Sequence, residues 1–285
     1  MVAFLAVGAA ASCAPQGAAR RETVVDTMSG SGRSYRIFLS IPATPAPPSG
    51  YGVIYLLDGN RYRETVAAAA GNTTIVAAVG YQTEAPDEIA RRRFNDFTTP
   101  APLAGLSADV ARLAPEFGGV DAFVAFLTDQ VQPLVRANAV VNEQCEALLG
   151  HSLAGLAVLH AAFANADAFD LYVAASPSIW WAERDILRGE QDFLHTMSEP
   201  GPSATLFLSA GELEQAPPEG ADAAQRARIV RNRMIDNAAE LAARLSAASP
   251  RLSVRMQTFS GLPHDATAAP AFQDGLSWTQ ACSHK

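Results

Sequence analysis

Hydrophobic and polar positions along the chain change period repeatedly. Residues 22–29 (ETVVDTMS) and 34–42 (SYRIFLSIP) alternate and are rich in β-branched and aromatic side chains, with Ser and Gly between them at 29–33. That pattern predicts two antiparallel strands joined by a turn. After the Pro-rich stretch ATPAPPSG, the runs YGVIYLLDG (51–59) and NTTIVAAVGY (72–81) are continuously apolar, as central strands covered on both faces must be. CEALLG (145–150), FDLYVAAS (169–176), ATLFLSAG (204–211) and RLSVRMQTF (251–259) read as further strands. Helical spacing falls at GVDAFVAFLTDQVQPLVRAN (119–138), LAGLAVLHAAFANA (153–166), 221–249 and APAFQDGLSWTQAC (269–282). Residues 81–118 are charged, proline-bearing and weakly periodic, which predicts a long functional loop. No internal repeat is visible.

Strands alternating with helices predict an α/β fold with a mostly parallel central sheet and helices on both faces. In such sheets ligands sit beyond the carboxyl ends of the strands. With 285 residues and 49% hydrophobic content, one large core can form. The net charge of −8 argues against a duplex nucleic-acid partner, which would demand a basic face. The start, MVAFLAVGAAASCAPQGAARR, has an apolar core of about ten residues followed by small ones, the pattern of an export signal, although no basic residue precedes it. AASC, ending in Cys13, resembles a lipoprotein box with Ala10 in place of leucine. Residues 1–21 are therefore expected to be a leader with linker, and 22–285 a single domain. Two cysteines remain, Cys145 and Cys282; they pair in an oxidising compartment or stay as buried thiols.

The stretch LLGHSLAGL places Ser152 between an apolar strand and a helix. A nucleophile elbow, G-x-S-x-G on a strand–turn–helix, demands this context. Gly150 and Ala154 occupy its two small positions, alanine replacing the second glycine. The bland alternative is that Ser152 caps the helix. A serine nucleophile requires a base. Of the five histidines, His151 points away across the turn, His160 and His195 fall in helical pattern, and His284 lies in the tail. His264, in FSGLPHDA, follows the last strand at the same sheet edge as Ser152. The orienting acid is expected after ATLFLSAG, where Glu212 and Glu214 stand; Glu214 is the choice, with Glu212 or a Ser–His dyad as alternatives. Oxyanion donors are expected from the backbone of Leu153 and of Asn60, just past Asp58-Gly59. No Cys or His cluster has metal spacing, so no metal or cofactor is expected.

With these residues in place the chain resembles the putative-esterase group of α/β-hydrolases, which includes siderophore trilactone esterases, feruloyl esterases and mycolyltransferases. The similarity runs from about Glu22 onward and rests on YLLDGN, VGYQ with RRRFNDFTTP, LLGHSLAGL, ASPSIWW and GLPHDA. It implies an α/β-hydrolase fold and a serine esterase that works on a small-molecule ester through an acyl-enzyme. It also implies that some relatives lack a firm acid. Trp180 and an arginine of the 91–93 cluster, Arg93 above all, are candidates to hold an aryl or catecholate group by stacking and charge. Acyl transfer to an alcohol, or ligand binding without catalysis, are the alternatives on the same fold.

Overall fold

A computed structural model of the chain describes residues 19–101 and 116–282. The strands are β1 (Arg20–Met28), β2 (Ser34–Pro42), β3 (Tyr51–Leu56), β4 (Thr74–Gly80), β5 (Val141–His151), β6 (Leu171–Ala175), β7 (Ala204–Gly211) and β8 (Leu252–Phe259). They form one eight-stranded sheet in the order β1-β2-β4-β3-β5-β6-β7-β8. The β1–β2 and β2–β4 pairs are antiparallel and every later pair is parallel. The α/β-hydrolase fold with a mostly parallel sheet is thus present, and β1 and β2 form the antiparallel start that their alternation predicts.

Period-two alternation sorts the strand residues between two cores. Val53, Tyr55, Ile75, Ala77, Leu148 and Tyr172 face one core; Ile54, Leu56, Val76, Ala78, Leu149 and Val173 face the other. Helices α1 (Gly59–Ala69) and α9 (Ala268–Cys282) cover the second face through Val66, Ala271, Phe272 and Leu276. On the first face lie α2 (Pro86–Asp96), α3 (Val120–Phe126), α4 (Gln132–Asn138), α5 (Leu153–Ala164), α6 (Glu190–Ser198) and, beyond the exposed α7 (Ala223–Asn232), α8 (Met234–Ser246). A π-helical turn, Leu127–Val131, joins α3 to α4. Because both faces are covered, the central strands read as unbroken apolar runs.

Two elements depart from the reading of the sequence. The expected loop at 81–118 contains α2, which has Pro86 in its first turn, Asp87 and Glu88 beside it, and Arg93 in its last turn; these favour the helix at both ends. The continuous helix expected over 221–249 breaks at Arg233, which takes left-handed φ 45°. There the Gln215 side chain caps the second helix, its Oε1 accepting from the amides of Ile235 and Asp236, both at 3.1 Å. A distant residue thus satisfies amides that a continuous helix would have used internally.

Cys145, at 0% exposure, and Cys282, the last residue of α9, form a disulfide with Cα–Cα 5.8 Å and a sequence separation of 137. It ties the last helix to the strand that carries Ser152. Closing so long a loop stabilises the fold by about 2–4 kcal/mol through the entropy of the unfolded chain. No helix among the described residues is long and apolar enough to cross a membrane.

Candidate active site

The turn between β5 and α5 holds Ser152 at φ 63° and ψ −119°. A non-glycine residue there costs about 1–3 kcal/mol, which the surroundings must offset. They do so through its main chain: Ser152 N–H donates to the Ala175 carbonyl (3.0 Å), and its carbonyl accepts from Leu156 (3.0 Å) and Ser178 (3.1 Å). A Cβ on Gly150 would meet the Ala154 carbonyl oxygen at 2.4 Å, and one on Gly155 would meet the Ala175 carbonyl oxygen at 2.9 Å. The close approach of helix to strand is therefore made at Gly150 and Gly155 rather than at the side chain of position 154, which is alanine here.

His264 opens a short 3₁₀ turn (His264–Ala266) after β8, and Glu214 closes another (Glu212–Glu214) after β7. The strands run parallel, so both turns emerge at the sheet edge where β5 delivers Ser152. Ser152 Oγ lies 2.9 Å from His264 Nε2, and His264 Nδ1 lies 2.6 Å from Glu214 Oε2. Glu214 is 8% exposed. Its other oxygen, Oε1, accepts from the Ser176 hydroxyl and the Gly211 amide, each at 2.5 Å. Burial pushes the Glu214 carboxyl up, but its bond to His264, that residue's charge, and the Ser176 and Gly211 bonds outweigh it, so the net shift is downward. Glu212 contacts a different part of the same loop. It is exposed, and its Oε2 accepts from the Ser260 hydroxyl (2.8 Å) and the Gly261 amide (2.7 Å). Glu214, not Glu212, meets the imidazole.

Asn60 and Leu153 both stand in the first turn of a helix, α1 and α5, where backbone N–H groups lack partners within the helix. The Asn60 side chain moors its loop to the end of β4: Oδ1 accepts from Tyr81 N (2.7 Å), and Nδ2 donates to the Tyr81 (3.1 Å) and Thr83 (3.0 Å) carbonyls. Two residues earlier Asp58 takes left-handed φ 57°. Its carboxylate is gripped by Arg93, Nε to Oδ1 at 2.5 Å and Nη2 to Oδ2 at 2.8 Å. Arg93 thus braces the loop that carries Asn60, and a substrate anion beside it would meet a charge already balanced. The 91–93 cluster does not form one basic wall. Arg92 bonds the Ser34 carbonyl and lies over the Tyr81 ring at 4.5 Å, while Arg91 is exposed on α2. Trp181 is 1% exposed and its indole N–H donates to the Thr99 carbonyl at 3.1 Å. Trp180 is half-buried, two residues past Ser178, whose Oγ lies 3.5 Å from Ser152 Oγ.

Four polar residues near the site have no role in the sequence reading: Ser176, Ser178 and Thr267, which it does not weigh, and His151, which it sets aside as pointing away from Ser152 and which in the fold bonds the His264 main chain. His151, Ser176 and Ser178 are signalled only by their place at or just past strand ends, and Thr267 only by its nearness to His264 in the chain. Thr267 Oγ1 lies 2.7 Å from Ser176 Oγ and 2.9 Å from the His264 carbonyl. His151 is 2% exposed. Burial, followed by the nearby His264 charge, lowers its pKa from 6.5 to about 4. Between those two pH values the unfolded chain binds a proton that the folded chain refuses, so stability falls as pH falls through that window. The loss amounts to on the order of 2–4 kcal/mol from this group, and Glu214, whose pKa is lowered, adds to it below its unfolded value of 4.5. Urea unfolding at pH 7, 5.5 and 4.5 will show the decline, and His151→Gln will flatten its upper part. An unchanged slope in that variant would refute the assignment. Cys13 lies outside the described residues, as do all of residues 1–18, whereas Arg20 and Arg21, at the end of the expected leader and linker, open β1.

Comparison with known proteins places the chain among ester hydrolases. The family model described as "Putative esterase" matches residues 29–244. The chain is 35% identical over 245 residues, 81% of its length and 80% of the relative's, to the ferri-bacillibactin esterase BesA of Bacillus subtilis (strain 168). It is 34% identical over 243 residues, 79% of its length and 80% of the relative's, to the siderophore triacetylfusarinine C esterase of Aspergillus fumigatus. Among solved structures, the siderophore hydrolase EstA from Aspergillus nidulans superposes with TM-score 0.79 at 28% identity, covering 97% of this chain and 100% of that one.

Proposed function

The chain belongs to the "Putative esterase" family and is a carboxylic ester hydrolase of the α/β-hydrolase fold, and from that premise we propose that it hydrolyses siderophore esters at Ser152. The observation that carries the mechanism is the line Ser152 Oγ–His264 Nε2–Glu214 Oε2, with separations of 2.9 and 2.6 Å. Ser152 Oγ attacks the ester carbonyl while His264 Nε2 takes the hydroxyl proton. Glu214 accepts from Nδ1–H, fixes the tautomer and stabilises the imidazolium. The amides of Leu153 and Asn60 hold the oxyanion, each at a helix start where partial positive charge gathers. His264 then returns the proton to the leaving alkoxide, leaving an acyl-enzyme. Water then attacks the acyl carbonyl as His264 takes its proton, and His264 passes that proton to the departing Ser152 Oγ, releasing the acid and restoring the enzyme.

The substrate class follows from two supports. The relatives are named as esterases of ferri-bacillibactin and of the siderophore triacetylfusarinine C. Trp180 is half-buried two residues past Ser178, whose Oγ lies 3.5 Å from Ser152 Oγ, and its ring is the candidate surface for a flat group to stack on. We therefore expect aryl and catecholate esters to be preferred over long aliphatic ones. Stacking adds about 0.5–1.5 kcal/mol beyond area burial, at most roughly tenfold in rate. The test is kcat/KM for matched phenolic-acid, catecholate and hexanoyl or longer esters, with Trp180→Ala alongside. Equal or better turnover of the aliphatic esters, unaffected by Trp180→Ala, would leave a general carboxylesterase. Export, with residues 1–21 as leader and linker, the last two of which already pair in β1, ahead of a single domain, and with Cys13 as a lipid anchor, is part of the same proposal. It is supported by the N-terminal pattern and by the disulfide, which persists in oxidising compartments.

A further inference from the structure

We propose that His151 is a positioning residue for His264, holding the main chain of the base while its neighbour Ser152 meets the side chain. The proposal rests on the assignment of Ser152 and His264 as nucleophile and base.

His151 is the last residue of β5 and is buried. Its Nε2 lies 2.9 Å from the His264 carbonyl oxygen, and its Nδ1 lies 3.3 Å from the Tyr62 hydroxyl. A carbonyl oxygen can only accept, so Nε2 carries the proton. In a neutral imidazole Nδ1 is then an acceptor, and the Tyr62 O–H donates to it. Both ring nitrogens are thereby assigned by the chemistry of their partners. Tyr62 lies in α1, two residues past Asn60. One side chain thus joins the nucleophile turn, the histidine loop and the helix behind the oxyanion loop.

The geometry forms a closed cycle. His151 and Ser152 are adjacent in the chain; one donates to the His264 carbonyl and the other to the His264 ring, both at 2.9 Å. A shift of the loop main chain therefore disturbs the reacting pair directly. Much of the loop is open to solvent. Residues 260–266 are exposed or half-exposed, with Gly261 at φ 68°. Its other ties are Glu214 on the His264 ring (2.6 Å), Glu212 on Ser260 and Gly261, Leu213 N–H on the Leu262 carbonyl (3.1 Å), Thr267 Oγ1 on the same His264 carbonyl (2.9 Å), and the long Arg61–Asp265 pair (3.7 Å); of these only Thr267 shares with His151 the main-chain carbonyl of His264. The two imidazole rings lie 4.6 Å apart. Burial keeps His151 neutral down to about pH 4, so no second cation opposes the imidazolium that forms on His264.

The test compares His151→Gln, whose terminal amide keeps a donor near the Nε2 position, with His151→Met, which fills the space without one. The Met variant is expected to lose on the order of 10–100-fold in kcat, as misplacing a reacting group does, with KM within about threefold of wild type. Labelling of Ser152 by an organophosphonate should slow by the same factor. The Gln variant should recover most of both rates. Equal losses in the two variants, or a change confined to KM, would overturn the proposal. On the wild-type enzyme, ¹⁵N-histidine NMR at pH 7 should show the Nε2–H tautomer for His151; an Nδ1–H tautomer would overturn it even if neither variant folds. Ser152→Ala serves as the separating control. Turnover surviving in Ser152→Ala means the underlying assignment fails, whereas an inactive Ser152→Ala beside a fully active Met variant means only the role of His151 fails.

Discussion

Ser152→Ala is expected to abolish ester turnover while leaving the fold intact. The substitution removes one oxygen from a half-buried side chain whose structural hydrogen bonds are made by its main chain, to Ala175, Leu156 and Ser178. The strained φ of 63° is as costly for alanine as for serine, so stability should change little. The rate should change greatly, because the acyl-enzyme route is lost entirely and His264 has no proton to take. Loss of the nucleophile in a serine-hydrolase triad costs on the order of a millionfold in kcat, and loss of the histidine about as much, since the two act as one unit. His264→Ala should therefore match Ser152→Ala rather than add to it. The measurement is kcat on an activated aryl ester with purified protein, with circular dichroism to check folding. Activity above a few per cent of wild type in a folded Ser152→Ala protein would refute the assignment of the nucleophile.

Much of the frame that delivers these residues is readable from the chain because it depends on local pattern. Continuous apolar runs mark strands buried on both faces, and the strand–turn–helix around Ser152 shows in the change from LLG to LAGLAVLH. Chain order then limits where an acid and a histidine can stand at the carboxyl edge. What local pattern cannot show is satisfaction of polar groups by distant partners. The break at Arg233 is invisible because apolar spacing continues through it, and the cap comes from Gln215. The role of Arg93 depends on Asp58, 35 residues earlier. In sequence Arg93 reads as the arginine best placed to hold a substrate anion, whereas in the fold Asp58 takes up its charge. The helix α2 was signalled by Pro86, Asp87 and Glu88, but weak apolar periodicity hid it within a polar stretch. The disulfide is different: once Cys13 is set aside, Cys145 and Cys282 are the two cysteines that remain, and the last helix packs against β5, which brings them together.

Glu214→Gln is expected to lower kcat by at least about a hundredfold, and by as much as the roughly ten-thousandfold seen when a triad aspartate becomes an amide. The physical reason lies in what each Glu214 oxygen does. Oε2 accepts from His264 Nδ1 at 2.6 Å, and Oε1 accepts from Ser176 and Gly211. A glutamine has one carbonyl oxygen to share between these two sides. If that oxygen stays with Ser176 and Gly211, the amide N–H faces Nδ1, favours the opposite tautomer, and puts a proton on Nε2 where Ser152 needs an acceptor. If instead the oxygen faces Nδ1, the amide N–H₂ meets the Gly211 N–H, two donors in a buried pocket, and imidazolium stabilisation by a full negative charge is lost in either case. Glu212→Gln should be milder, because its carboxylate is exposed and its bonds to Ser260 and Gly261 can be made by an amide oxygen. Measuring kcat for both variants separates the two carboxylates. If both stay within about threefold of wild type, a Ser152–His264 dyad performs the chemistry and Glu214 only packs the site.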